Sequence, residues 1–296
     1  MHRAGDPELR VYGIFGYPLA HTISPAIQNC AFDHHKLKSI YFAFERSPAR
    51  FRFLMRNLKS LLLNGFNVTV PYKGVVLKYL RNRLTLTAKE IGAVNTVFRK
   101  GQRWMGDNTD CYGFLTSLRK EGRFNPRGKR ALLLGAGGAA RAVAYGLGQS
   151  GAKEVRIINR AEFRGRREKL VKQFKKIFPR TQFEGFSLNR PNLEHGLKDV
   201  QLVVDATSTS KGDPNRRLIP MDLIPKACKG QRLLFFDLVY YKTRPFLKDA
   251  KKKGHKVLDG KGMLIYQGAK AFEIWTGKRA PVHKMKKALQ DGLRSE

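Results

Sequence analysis

The stretch "ALLLGAGGAARAVAYGLGQSG", Ala131 to Gly151, constrains this chain more than any other. An apolar run, a glycine-rich turn and a small-residue helix follow one another there. Gly135, Gly137 and Ala140 form a G-x-G-x-x-A pattern. Gly135 permits the tight turn, Gly137 lets backbone approach a pyrophosphate, and small Ala140 lets the helix pack on the sheet. The helix N-terminus then offers amides and partial positive charge to phosphate. An ordinary glycine-rich turn of an α/β domain fits the pattern too. The strand-turn-helix setting favours a dinucleotide site at Gly135, Ala136, Gly137, Gly138 and Ala139.

The end of the next strand bears on which dinucleotide. An NAD site carries Asp or Glu there for the ribose 2′-hydroxyl. This chain has "INRAEFR", with Asn159, Arg160 and Arg164. A guanidinium suits a 2′-phosphate by charge and bidentate geometry, so NADP is expected. The competing reading is that these are two of many basic residues. Lys and Arg total 58 against 23 Asp and Glu, a formal charge of +35 over 296 residues.

A field of that sign attracts polyanions without specificity and speeds encounter with small anionic substrates. The densest basic segments, Arg160 to Lys176 and Lys248 to Lys256, do not interleave aromatics as a base-stacking surface does, and no nucleic-acid motif is present. No specific nucleic-acid partner is expected. No run approaches the ~18 apolar residues of a membrane helix. "MHRAGDPELR" has no apolar core of a secretory signal. Cys30, Cys111 and Cys228 form no CxxC pair, which argues against a disulfide framework and a structural zinc site. A cytoplasmic protein with no metal is expected.

From Val11 onward, short apolar runs alternate with amphipathic ones. "VYGIFG" and "SIYFAFE" read as strands, and "SPAIQNCAFDHH" as a helix with Ser24 as N-cap and Pro25 first in the helix. "GFNVTVPYK" reads as a strand anchored in the core by Val68 and Val70 and stopped by Pro71. "AVNTVFRKGQRWMGDN" reads as two strands about a turn at Lys100-Gly101. The β-α-β-α order implies a parallel sheet under helices. "RKEGRFNPRGKR" is the best linker candidate, and a second β-α series follows it.

Polar clusters stand at the ends of apolar runs in the first half: Thr22 and Ser24 in "HTISP", Asn67, Thr69 and Lys73 in "NVTVPYK", Asn95 in "AVNT", and Asn108, Thr109 and Asp110 in "GDNTD". Strand C-termini of a parallel sheet gather on one ligand-binding edge. Hydroxyls, amides, an amine and a carboxylate there suit a small polyhydroxylated acid. Taken singly, each cluster is as well explained by a turn or a cap, Asp110 included. Lys73 and Asp110, of opposite charge, can share a proton relay.

These motifs, with "LLLGAGGAARA", "INR" and "GKGMLIYQGAKAFEIWTG", resemble the shikimate dehydrogenase family, quinate/shikimate dehydrogenases included, from about Val11 to the last helix. The resemblance implies an α/β fold of two domains with a cleft between them: a substrate domain over 1–118, a Rossmann-type NADP domain over 119–258, and terminal helices over 259–296 returning to the first. It implies that Thr22 and Ser24 hold a substrate carboxylate, with Tyr240 near it. Asn67, Thr69, Asn95, Asp110 and Gln267 would surround the ring hydroxyls. Lys73 and Asp110 would be the catalytic pair, and Thr207, Ser208 and Met263 would lie near the cofactor. The implied reaction interconverts shikimate and 3-dehydroshikimate with NADP, in aromatic amino acid biosynthesis, by a monomer or homodimer. The alternatives are a quinate-preferring enzyme and a non-catalytic, nucleic-acid-associated relative. The chain departs from the family pattern at Thr22, where serine is commoner, at Ala161, where threonine is frequent, and in "VYYKTRPFL". That loop is one residue short and places Arg244 before Pro245.

Overall fold

The computed structural model describes residues 9–20, 22–207, 215–228 and 232–295. The chain divides into two compact units. One holds the residues up to Thr109 together with those from Ile265 onward; the other is Asp110–Leu264.

The first unit contains β1 (Arg10–Gly16), α1 (Ser24–His34), β2 (Ser39–Glu45), α2 (Pro48–Arg56), β3 (Gly65–Val68), α3 (Leu77–Leu80), α4 (Leu86–Ile91), β4 (Thr96–Lys100) and β5 (Arg103–Asp107). Its sheet runs β2-β1-β3-β4-β5. β1 pairs with β2 and β3 in parallel, but β3–β4 and β4–β5 are antiparallel. The expected parallel sheet is present at β2, β1 and β3, and the expected strand-turn-strand adds β4 and β5 to its edge as a hairpin. The two turn residues are Gly101 and Gln102, one position later than expected; a turn that short can only reverse the chain, and Gly101 takes φ +59° to do it.

Phe66 and Val68 are buried among Phe15, Phe51, Tyr72 and Trp104. Burial of such side chains contributes about 1.5–3 kcal/mol each. Tyr72 stacks on Phe51, ring centroids 4.0 Å apart. Val70 does not join them: it is 43 % exposed. The strand ends at Val68, Thr69 N bonds Phe15 O, and the Val70 carbonyl turns to accept from Tyr17 N. That turn carries the Val70 side chain off the sheet. Ser24 is also corrected as an N-cap. It is the first helical residue, and Ile23 takes the capping position without a side-chain bond.

The second unit opens with α5 (Asp110–Lys120) and continues with β6 (Arg130–Leu134), α6 (Gly138–Gln149), β7 (Glu154–Asn159), α7 (Arg164–Ile177), β8 (Gln182–Ser187), α8 (Arg190–Leu197), β9 (Leu202–Asp205), β10 (Leu234–Asp237), α9 (Pro245–Lys252) and β11 (Lys256–Leu258). Its sheet is parallel throughout, in the order β11-β10-β9-β6-β7-β8. Chain order reverses between β6 and β9, the switch point where such sheets bind ligands. Residues 121–129 connect α5 to β6 inside this unit.

Two helices close the chain, α10 (Lys261–Thr276) and α11 (Val282–Ser295). From Ile265 onward they belong to the first unit, as expected of returning helices. Gln28 Nε2 bonds Gly268 O at 2.9 Å, and Trp275 Nε1 bonds Val97 O at 3.0 Å. Among the described residues no helix is long and apolar enough to cross a membrane, and no cluster of side chains could hold a metal ion. All three cysteines are free.

Candidate active site

In the first unit, the register sets Asn67 of β3 opposite Thr96 of β4, and Thr96 opposite Asp107 of β5. The C-terminal ends of β1, β3 and β5 thus share an edge with the start of β4. Asn95 is the centre of a buried network there. Its Nδ2 donates to Thr109 Oγ1 at 2.9 Å and to Gln267 Oε1 at 3.2 Å. Its Oδ1 accepts from Thr109 N at 2.7 Å and Thr96 Oγ1 at 2.9 Å. Asn67 lies behind it. Asn67 Nδ2 donates to Asn95 O and Thr96 Oγ1, both at 3.1 Å, and Oδ1 accepts from the Tyr41 hydroxyl at 2.7 Å. Both amide donors of Asn67 are committed, which leaves one lone pair on Oδ1 for a ligand.

Sequence-distant Asn67, Asn95 and Gln267 are thus brought together. Lys73 is half-buried, and its carbonyl accepts from Val94 N at 2.8 Å, beside Asn95. Thr69 begins the turn before it; its carbonyl accepts from Tyr72 N. Thr22 and Ser24 are half-buried at the start of α1. In "GDNTD", Asp107 accepts from Thr85 Oγ1 at 2.5 Å and from Asn108 N at 2.8 Å, and Asn108 Nδ2 reaches Ala93 O. Asp107, Asn108 and Thr109 therefore serve the frame. Asp110, buried, opens α5 directly after them.

In the second unit the glycine turn lies at the switch point. Gly135 has φ +109°, and a Cβ there would meet Ala206 O at 3.2 Å and Thr207 Cγ2 at 3.4 Å. A Cβ on Gly137 would meet nothing within 4 Å. That open backbone sits at the N-terminus of α6, whose first turn has no acidic residue. Beyond β7, the guanidinium groups of Arg160 and Arg166 both stack on Phe163, 4.7 and 4.8 Å from its ring centroid. Arg160 pairs with Glu162 at 3.1 Å and Arg164 with Glu168 at 2.6 Å. Such exposed pairs contribute ~0–1 kcal/mol, so a phosphate can displace these carboxylates. An open glycine cradle, a helix N-terminus and exchangeable guanidinium groups fit NADP.

Thr207 is half-buried and held by Asp205. Ser208 lies outside the described residues. Tyr240 is half-buried and meets Tyr241 edge-on at 5.5 Å, and Met263 is buried on α10. Sequence reasoning missed Tyr41 and Thr96, and it missed Asp205 and Asp237, which are bridged by Arg244. Burial pushes the Asp205 carboxyl up to about 6 despite the guanidinium beside it. One guanidinium neutralises one of the two carboxylates, and the other is driven toward its neutral form.

Known proteins share this sequence and fold. Residues 14–97 match the shikimate dehydrogenase substrate binding domain, 118–240 match shikimate / quinate 5-dehydrogenase, and 260–290 match the shikimate 5′-dehydrogenase C-terminal domain. Shikimate dehydrogenase (NADP(+)) of Methanopyrus kandleri is 41% identical over 290 residues, 98% of each chain. The chain belongs to the shikimate dehydrogenase family. The crystal structure of the family member from Aquifex aeolicus superposes with a TM-score of 0.82 at 38% identity, covering 95% of this chain and 98% of that one. The Thermus thermophilus enzyme, solved in complex with NADP(H) and shikimate, gives 0.79 at 33% identity, covering 96% and 99%.

Proposed function

We propose that this protein is an NADP-dependent shikimate dehydrogenase, reversibly reducing 3-dehydroshikimate to shikimate. The observation that carries the reading is 41% identity over 98% of both chains with an enzyme of that name. Related structures titled as shikimate and NADP complexes support the same substrate and cofactor. They do not favour a quinate-preferring enzyme or a non-catalytic nucleic-acid-binding relative.

NADP+ supplies the hydride acceptor when bound. The chain's own residues must bind the acid, fix the ring and take the hydroxyl proton. Thr22 and Ser24 donate hydroxyls to the substrate carboxylate, with Tyr240 beside it. Asn95 and Gln267, already locked to each other, address the ring hydroxyls with Thr69. Asn67 contributes its remaining lone pair and holds Asn95. Lys73 moves the proton, and Asp110 orients both Lys73 and the hydroxyl. Gly135 to Ala139 cradle the pyrophosphate, Asn159, Arg160 and Arg164 address the 2′-phosphate end, Met263 lies beside the nicotinamide, and Thr207 lies near the cofactor. The enzyme works in the cytoplasm as a monomer or homodimer.

The test is one spectrophotometric assay crossing shikimate and quinate with NADP+ and NAD+. Fastest turnover is expected with shikimate and NADP+. No reduced nicotinamide from that pair would refute the proposal.

A further inference from the structure

β9 and β10 end side by side, with Asp205 and Asp237 in register as partners. Two neighbouring carboxylates at buried strand ends repel unless a cation joins them. Arg244, the residue before α9, is that cation. Its Nε donates to Asp237 Oδ2 at 2.7 Å, and Nη2 donates to the other oxygen of the same carboxylate. Nη2 also lies 2.7 Å from Asp205 Oδ2, as an ion pair without hydrogen-bond alignment. All three side chains are buried.

Each carboxylate also holds a residue just past the end of its own strand. Asp205 Oδ1 accepts from Thr207 N at 2.8 Å and from Thr207 Oγ1 at 2.7 Å. Asp237 Oδ1 accepts from Val239 N at 3.0 Å, next to Tyr240. The backbone adds one cross-link, Leu238 N to Asp205 O at 3.0 Å.

We propose that Arg244 is a positioning residue: by clamping Asp205 and Asp237 it sets Thr207 and the Val239–Tyr240 backbone in one geometry, so that the cofactor contact of the one and the substrate contact of the other are fixed together. The kinetic consequence rests on the roles given above to Thr207 and Tyr240; the mechanical coupling of the two segments does not. Lysine replaces the guanidinium only in part, because a point charge lacks the fork that grips both Asp237 oxygens while pairing with Asp205.

The experiment uses the full chain and three variants, Arg244→Met, Arg244→Lys and Asp205→Asn. It measures KM for shikimate, KM for NADP+, kcat, and amide hydrogen exchange. Arg244→Met should raise both KM values by at least ~10-fold, with a smaller change in kcat, since displacing positioning groups by about an ångström costs that much or more. Exchange at 207 and 239 should rise together, with β6 to β8 unaffected. Arg244→Lys should fall between wild type and Met. Asp205→Asn releases only one end of the clamp, so KM for NADP+ should rise and KM for shikimate should stay. Both KM values within ~2-fold of wild type in Arg244→Met would overturn the proposal, since the expected change is ~10-fold. A fall in kcat alone would also overturn it, because a merely structural role reduces the amount of active enzyme and leaves KM in place. Should Arg244→Met fail to fold, Asp205→Asn decides: unequal KM changes support the clamp, and no change refutes it. Wild type without shikimate activity, together with coupled exchange in the variants, would refute the functional reading and leave the clamp standing.

Discussion

Asn67 is the residue whose part in the site can be decided by energetics. Asn67→Leu keeps the side-chain size and removes three hydrogen bonds. Two of the partners keep others: the Asn95 carbonyl still accepts from Val68 N at 2.8 Å, and Thr96 Oγ1 still donates to Asn95 Oδ1. The Tyr41 hydroxyl, fully buried, is left without its acceptor. An orphaned buried hydroxyl costs about 1–3 kcal/mol. Tyr41→Phe makes the mirror error and orphans Asn67 Oδ1, at a similar cost. The double variant orphans neither, because both partners have become apolar. The two single costs should therefore exceed the double by about 1–2 kcal/mol. Thermal unfolding reads this, at roughly 2–4 °C per kcal/mol for units of this size. Additive costs would refute the reasoning. KM for shikimate should rise alike in Asn67→Leu and in the double variant, because both lose the bond to Asn95 and the Oδ1 lone pair, and should stay within a few-fold of wild type in Tyr41→Phe, which keeps Asn67.

Three further outcomes are expected. Lys73→Ala should lower turnover by at least ~10²-fold with folding intact, as for other general acid-base groups, and near-normal turnover would remove Lys73 from the proton path. Arg160→Ala with Arg164→Ala should raise KM for NADP+ and leave KM for NAD+ unchanged, because only the former carries the 2′-phosphate; equal rises would refute the assignment. The Asp205 carboxyl stands at about 6, above its ordinary value of 3.8. The native state then binds more protons than the unfolded chain between about pH 4 and pH 6. The stabilising contribution is full below that window and is lost as pH rises through it, by at most ~3 kcal/mol. Asp205→Asn should flatten that slope in denaturant titrations, and an unchanged slope would refute it.

Much of this fold was legible because local signals were strong. The glycine turn, the strand "SIYFAFE" and the hairpin at Gly101-Gln102 each carry their geometry in adjacent residues. β8 was not legible: as an edge strand it fully buries only Phe183, so "QFEGFS" shows no clear apolar pattern. In the candidate site, the residues singled out from sequence are those on strand ends and turns, where polar side chains interrupt apolar runs. Tyr41 is not among them, since a tyrosine in a β-strand is ordinary until the topology sets it near Asn67. Arg244 was visible only as a departure from the family pattern. Its two acids lie 39 and 7 positions before it, and no sequence rule pairs them. Val70 misled because a β-branched residue after a buried one reads as more strand, whereas the chain had already turned.

The discontinuity of the first unit sets an order of assembly. Trp275 sits so close over β3 that a Cβ on Gly65 would meet its indole at 2.4 Å, and Gln267 reaches Asn95 across 172 positions of sequence. As the chain is synthesised, the sheet that carries Lys73 and Asn95 emerges first but lacks these partners. The whole of Asp110–Leu264 must pass before they arrive. The inserted unit has its own local β-α pairings and can form meanwhile. The substrate-binding half is thus begun first and finished last, and a chain stopped at Leu264 would carry an acid-binding sheet with its amide network left open.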